Sequence, residues 1–223
     1  MEFDEVINGR RSIRGFKQEP VSTEMINELV ALASRSPSSM NTQPYYLHVV
    51  TGEPLDRIRE GNTERNLAGV KPSREIISHG AYKGKHRDRQ KAIAAQLFEA
   101  MDIDWGDKER RMDWVMRGFR QFDAPVSIVV TMDSDLKGDD TAIFDCGAMV
   151  TALVNAAWSR GIGCVINGQG IMQSPVVREH AQIPEDQIIV TCVAMGYPAE
   201  DFPANEVVSQ RRSVEEIVSF VGY

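Results

Sequence analysis

Arg10-Arg11-Ser12-Ile13-Arg14-Gly15-Phe16 places three guanidinium groups and a hydroxyl within five residues. Cations this close repel one another unless an anion sits among them, and the planar guanidinium fork donates two hydrogen bonds at once to a phosphate. The same residues also suit a solvated basic turn. Ser36-Pro37-Ser38-Ser39-Met40-Asn41-Thr42-Gln43-Pro44-Tyr45 offers the complementary chemistry. Its small hydroxyls and carboxamides donate and accept without adding charge, which fits a neutral, amide-rich heterocycle. They equally fit an ordinary helix-to-strand loop. Gly161-x-Gly163 and Gly168-x-Gly170 resemble fragments of a dinucleotide fingerprint, but the first precedes a strand and the second leads into no long helix. Plain turns explain them better. His48, His79, His86 and His180 lack metal-ligand spacing, and neither a Gly-x-Ser-x-Gly nor a Walker-type loop occurs.

Periodicity supplies the elements that must hold these segments. Phe3, Val6 and Ile7 predict a short helix running into Gly9, and Met25 to Ala33 a second, capped by Ser22 or Thr23 and stopped at Pro37. Tyr45–Thr51 reads as a strand, residues 53–61 as a short helix and 62–86 as mostly loop. Gln90–Ala100 and Lys108–Phe119 predict two further helices. Val126–Met132 is a near-continuous apolar run suited to a buried strand. Asp139 and Asp140 open a long helix to about Arg160, rich in Ala and Gly. Ile162–Ile166 is a strand, 167–170 a turn, and Ser174–Ala181 a helix with Pro175 at its first position. Gln187–Met195 is the last strand, and Ser213–Phe220 a final helix. About four strands among seven helices, alternating only in the second half, point to one α+β domain over 1–223.

Composition narrows the possible partners. The chain has 223 residues, near the length of one domain at about 150 residues each. A formal charge of −7, without a segregated basic region, makes nucleic acid a poor ligand because phosphate neutralisation supplies most of that affinity. Cys146, Cys164 and Cys192 are odd in number and set in apolar surroundings, as reduced core residues of a cytosolic protein would be. The start carries no signal-like pattern, and the apolar runs near 126–132 and 188–195 fall short of the ~20 residues that span a bilayer. The expectation is a soluble cytoplasmic protein without a membrane partner.

RRSIRGF, SPSSMNTQPYY, FDAPVSIVV, the small-residue helix ending in SRGIGCVINGQG, and the tail pair Arg211-Arg212 occur in an order that resembles the nitroreductase family of FMN-dependent oxidoreductases, from residue 3 to 223. The resemblance implies a three-layer sandwich, a central mixed sheet flanked by helices, in an intertwined homodimer. The arm at about 205–223 would embrace the partner subunit, with FMN at the interface. Arg10, Arg11, Ser12 and Arg14 would hold the flavin, Arg10 and Ser12 at its phosphate and Arg14 at the N1/C2=O edge. Pro37, Ser38, Ser39 and Asn41 would reach it from the other subunit. Ile166, Asn167 and Gly168 would lie along the ring, with the Gly168 N–H near N5, and Arg211 with Arg212 would complete the phosphate site. The implied activity is ping-pong transfer of hydride from NADPH or NADH, through flavin N5, to a nitroaromatic, quinone or other conjugated small-molecule electrophile. No protein acid or base is needed for that chemistry. A non-catalytic flavin carrier or sensor, and a branch that consumes its flavin, are the alternatives.

Departures from the family pattern bear on substrate contacts. Tyr45 stands where Trp is frequent, and Gly118 where Asn is expected. Glu75, Tyr82 and Lys83 do not reproduce the lid spacing of the deiodinase branch. Lys83–Lys91 is a basic run that is either a solvated helix start or a border of the flavin site that draws anionic partners. Trp105, Trp114, Phe119 and Phe122 suit packing, with one of them expected on the pocket wall.

Overall fold

The computed structural model describes residues 1–76 and 80–223; His79 lies outside the described residues. Among the described residues seven α-helices and four strands follow one another: α1 (Phe3–Gly9), α2 (Thr23–Ala33), β1 (Tyr45–Thr51), α3 (Gly52–Leu67), α4 (Gly84–Ala100), α5 (Lys108–Phe119), β2 (Val126–Asp133), α6 (Asp140–Ser159), β3 (Gly163–Ile166), α7 (Ser174–His180) and β4 (Gln187–Gly196). Side-chain caps fix several starts. Ser22 Oγ accepts from the Met25 N–H at 3.2 Å, and Asp139 accepts from the Thr141 and Ala142 N–H groups. Each satisfies donors that a helix start leaves without an internal partner.

The sheet order is β1-β2-β4-β3, and all three pairings are antiparallel. A parallel bridge between Ser12 and Cys164 extends the outer edge of β3, and that contact is what makes the sheet mixed. Alternation along the strands splits the core into two faces. Val126, Ile128, Val130, Val193 and Met195 meet Ile26 and Leu29 of α2 and Met149 and Leu153 of α6. Val129, Ile189 and Cys192 meet Leu55 and Ile58 of α3 and Val177 of α7. The three layers are therefore α2/α6, sheet, and α3/α7. All three cysteines are free and buried, and burial pushes the Cys192 thiol up to about 12.

Several boundaries differ from the sequence reading. Helix α3 continues through 62–67 because the inward residue there is Asn62, whose amide donates to the Phe119 and Gly170 carbonyls, so no apolar period marks it. Helix α4 starts at Gly84, since its first turns are solvated charged residues. Pro175 occupies the second helical position of α7, Ser174 being already helical. The expected helix over Ser213–Phe220 is only a turn near 214–217; Val214, Ile217 and Phe220 are exposed, and a short helix with nothing to bury its apolar side is marginal. Helix α6 is the one helix among the described residues long and apolar enough to cross a membrane by length and composition alone, with a mean hydropathy of 1.3 over an 18-residue window. Half of it is buried, where Met149, Val150 and Leu153 pack on the sheet.

Candidate functional site

The Arg-rich segment is fixed from both sides. Its Ile13 is buried, and the Ile13 N–H donates to the Cys164 carbonyl of β3 at 3.0 Å. Asn205, fully enclosed, clamps the next two residues. Its Oδ1 accepts from the Arg14 and Gly15 N–H groups at 2.8 and 3.0 Å, and its Nδ2 donates to the Gly15 and Ala199 carbonyls at 2.8 and 2.9 Å. Arg117 donates to the Arg14 carbonyl at 3.0 Å. Arg14 thus enters a cavity of about 630 Å³ whose far wall is the end of β3 and the turn after it, Ile166, Asn167, Gly168 and Gln169. Burial pushes the Arg14 guanidinium down to about 10, which leaves it charged at neutral pH.

The turn after β3 is held as firmly. The Asn167 N–H donates to the Cys192 carbonyl at 2.7 Å, its Nδ2 to the Gly118 carbonyl at 2.8 Å, and its Oδ1 accepts from the Gln169 N–H at 3.1 Å. Gly118, the departure noted in the sequence, is explained here: a Cβ would stand 2.1 Å from Gln169 Oε1, so the Gln169 side chain fills the space that a residue at 118 would claim. Gly168 lies under Arg74, whose Nη2 donates to the Gly168 carbonyl at 3.0 Å; a Cβ on Gly168 would come within 3.1 Å of that nitrogen. Phe98, Trp114 and Phe122 are the aromatic wall. Phe122 is aimed by a left-handed turn, Gln121, Phe122 and Asp123 all having φ between 54° and 57°.

Arg74 and Gln90 are cavity residues that the sequence reading missed. Arg74 comes from a stretch without a usable period, and nothing in the local pattern separates it from its neighbours; Gln90 opens the helix that the sequence predicts, but a lone glutamine there carries no signal of a cavity. The loop carrying Arg74 is stapled at three successive residues. Ser73 N–H donates to the Met172 carbonyl at 2.8 Å; Arg74 rests on Gly168; Glu75 forms a two-bond pair with Arg178 at 2.7 and 3.1 Å and also accepts from the Ile189 N–H at 2.7 Å. No described residue lining the cavity is a carboxylate. Arg14 and Arg74 are its two cations.

The other expected residues divide. Ser12 sits on the β3 bridge one residue before Ile13, and the Arg10 guanidinium has no partner among the described residues. Arg11 donates to Glu206 at 2.9 and 3.0 Å and to the Asn205 carbonyl, and lies 5.5 Å over the Trp158 ring, so it ties the segment to 205–206. Pro37, Ser38, Ser39 and Asn41 do not line the cavity. Their loop is docked on α6, the Ser39 N–H donating to Asp145 at 2.9 Å, while Ser38 Oγ accepts from the Gln43 N–H at 3.0 Å. Arg211 and Arg212 are exposed and bond locally, to Ser209 and to the Glu216 carbonyl. Among the described residues no group of His, Cys, Asp and Glu side chains could hold a metal.

A family model described as the nitroreductase family matches residues 7–197. The nitrobenzene nitroreductase of Ectopseudomonas oleovorans is 33% identical over 98% of this chain and 96% of its own length. The chloronitrobenzene nitroreductase of Comamonas testosteroni is 32% identical over the same shares. Among solved structures, the FMN-dependent nitroreductase NfnB from Mycobacterium smegmatis in complex with NADPH superimposes with a TM-score of 0.89 at 22% identity, over 98% of this chain and 97% of that one. With a family match along most of its length and a relative one-third identical from end to end, this chain belongs to the nitroreductase family.

Proposed function

We propose that the protein is an FMN-dependent oxidoreductase that takes electrons from NADPH or NADH and passes them, in a ping-pong cycle, to a nitroaromatic, quinone or other conjugated electrophile. The observation that carries this reading is the cavity itself: an apolar and aromatic wall facing two arginines, with no carboxylate among its described lining residues. The flat ring system of FMN suits the apolar wall, and a cation suits its N1/C2=O edge, where reduced flavin carries negative charge. When bound, FMN supplies two-electron chemistry at its N5, so the chain needs no catalytic acid or base of its own.

The chain binds and orients. Ser12 and the unpartnered Arg10 take the phosphate, with Arg211 and Arg212 of the tail completing its shell. Arg14 offers its charge to the N1/C2=O edge from a position set by Asn205. Ile166, Asn167 and the Gly168 N–H border the ring. Arg11 anchors the segment through Glu206. In this reading 1–223 is one domain, and Pro37, Ser38, Ser39 and Asn41 serve the site of a second copy, which explains why they lie outside the cavity of their own chain. The apolar residues left exposed on the tail and on α6, among them Phe144, Ile217 and Phe220, are the surface such a homodimer covers.

Two measurements test it. Purified protein is expected to be yellow, and its flavin absorbance to bleach when NADPH or NADH is added under argon, with many electrons passed per FMN once an acceptor is present. A colourless chain that FMN cannot reconstitute would overturn the reading; bound flavin without turnover would make the protein a carrier. Light scattering should give twice the 24.9 kDa of one chain. A monomer that keeps FMN tightly would rule out the interface site.

A further inference from the structure

We propose that Arg74, with Gln90 and Arg87 beyond it, forms an oxyanion subsite next to the reaction cavity, which receives the carboxylate or phosphate of a ligand whose reactive part sits in that cavity. This deepens the reading of the site given above and rests on it. A second cavity, of about 650 Å³, adjoins the first; Arg74 and Gln90 line both, and Arg87 lines the second. The groups facing this shared wall are donors. Arg74 uses Nη2 on the Gly168 carbonyl, while its Nε is buried and has no hydrogen-bond partner. Arg87 donates to Gln90 Oε1 at 2.6 Å, which occupies the acceptor of that amide and leaves its NH2 to donate outward.

Neither Arg74 nor Arg87 makes an ion pair among the described residues, and no described residue lining either cavity is an Asp or Glu. A buried N–H without a partner is costly, and a half-buried guanidinium without an anion adds to that cost. An incoming oxyanion supplies the missing counter-charge and pairs with the rest of the guanidinium, which the buried Nε and the Nη2 bond to Gly168 hold in place. The three-point staple at Ser73, Arg74 and Glu75 fixes the loop beforehand, so little ordering remains to be done on binding.

The test uses the FMN-loaded, full-length protein and calorimetric titration with benzoate and with uncharged benzamide. In parallel, adenosine 2′,5′-bisphosphate probes the donor's phosphate. Benzoate is expected to bind more tightly than benzamide. Arg74→Gln should weaken the anion by about tenfold, the effect of one charge-assisted hydrogen bond, and leave benzamide unchanged. Arg74→Lys should restore part of the loss, and Arg87→Gln, on an exposed helix position, should weaken the anion several-fold. A loss confined to benzoate places the oxyanion on the electron acceptor; one confined to the bisphosphate places it on the donor. Equal binding of benzoate and benzamide, with a bisphosphate affinity indifferent to both arginines, would overturn the proposal. So would loss of FMN absorbance from Arg74→Gln, since Arg74 would then belong to the flavin. If the chain takes up no FMN at all, the same titrations on the flavin-free protein still read the subsite, which separates its failure from that of the proposed activity.

Discussion

Asn205→Ala is expected to lower the unfolding free energy by about 3–4 kcal/mol, measured by urea denaturation, and to strip most of the FMN from the protein. The side chain makes four hydrogen bonds, each worth about 1 kcal/mol net, and its loss leaves the Arg14 and Gly15 N–H groups facing a void. Asn205→Asp keeps the acceptor, loses both donors and buries a charge, so it should be no better than alanine. A change below about 1 kcal/mol in the alanine variant would mean that the segment at 10–16 is held by its β3 contacts alone.

Arg14→Ala should act differently, on potential more than on occupancy. The negative charge of reduced flavin develops near N1, where the proposed site puts the Arg14 guanidinium. At an effective dielectric near 20, a cation ~4 Å away contributes at most ~4 kcal/mol, and solvent screening leaves roughly a third of that. For a two-electron couple about 1.4 kcal/mol corresponds to 30 mV, so the midpoint potential should fall by some tens of millivolts while much of the flavin stays bound. Spectroelectrochemical titration reads the potential, and the absorbance ratio of flavin to protein reads the occupancy. An unchanged potential with the flavin lost would assign Arg14 to the phosphate.

The parts legible in the sequence are those where one physical signal dominates. Tyr45–Thr51 and Val126–Met132 are β-branched runs with no competing helical period, and their strands begin where the sequence places them. Asp139 and Gly161 bracket α6 by capping chemistry alone. Residues 62–67 were hidden because a buried asparagine breaks the apolar period, and Ser213–Phe220 misled because its spacing is amphipathic while its own chain offers nothing to cover it. Arg14 and Ile166–Gly168, which line the cavity, are named through the family resemblance. Arg74 and Asn205 could not be found, because each acts through hydrogen bonds to distant backbone, and no local pattern encodes a partner 94 or 190 residues away.

The clamp between residues 14 and 205 also sets when the site can exist during synthesis. Its partners are 191 positions apart, and at 5–20 residues per second the ribosome needs about 10–40 s to make that stretch. Through that interval the arginine segment has neither Asn205 nor Glu206, and its β3 contact forms only once residue 164 has emerged. The nascent chain can pair β1 with β2 first, yet the proposed cofactor site stays incomplete until the clamp closes. Truncated chains ending before residue 205 would accordingly leave the ribosome without the clamp.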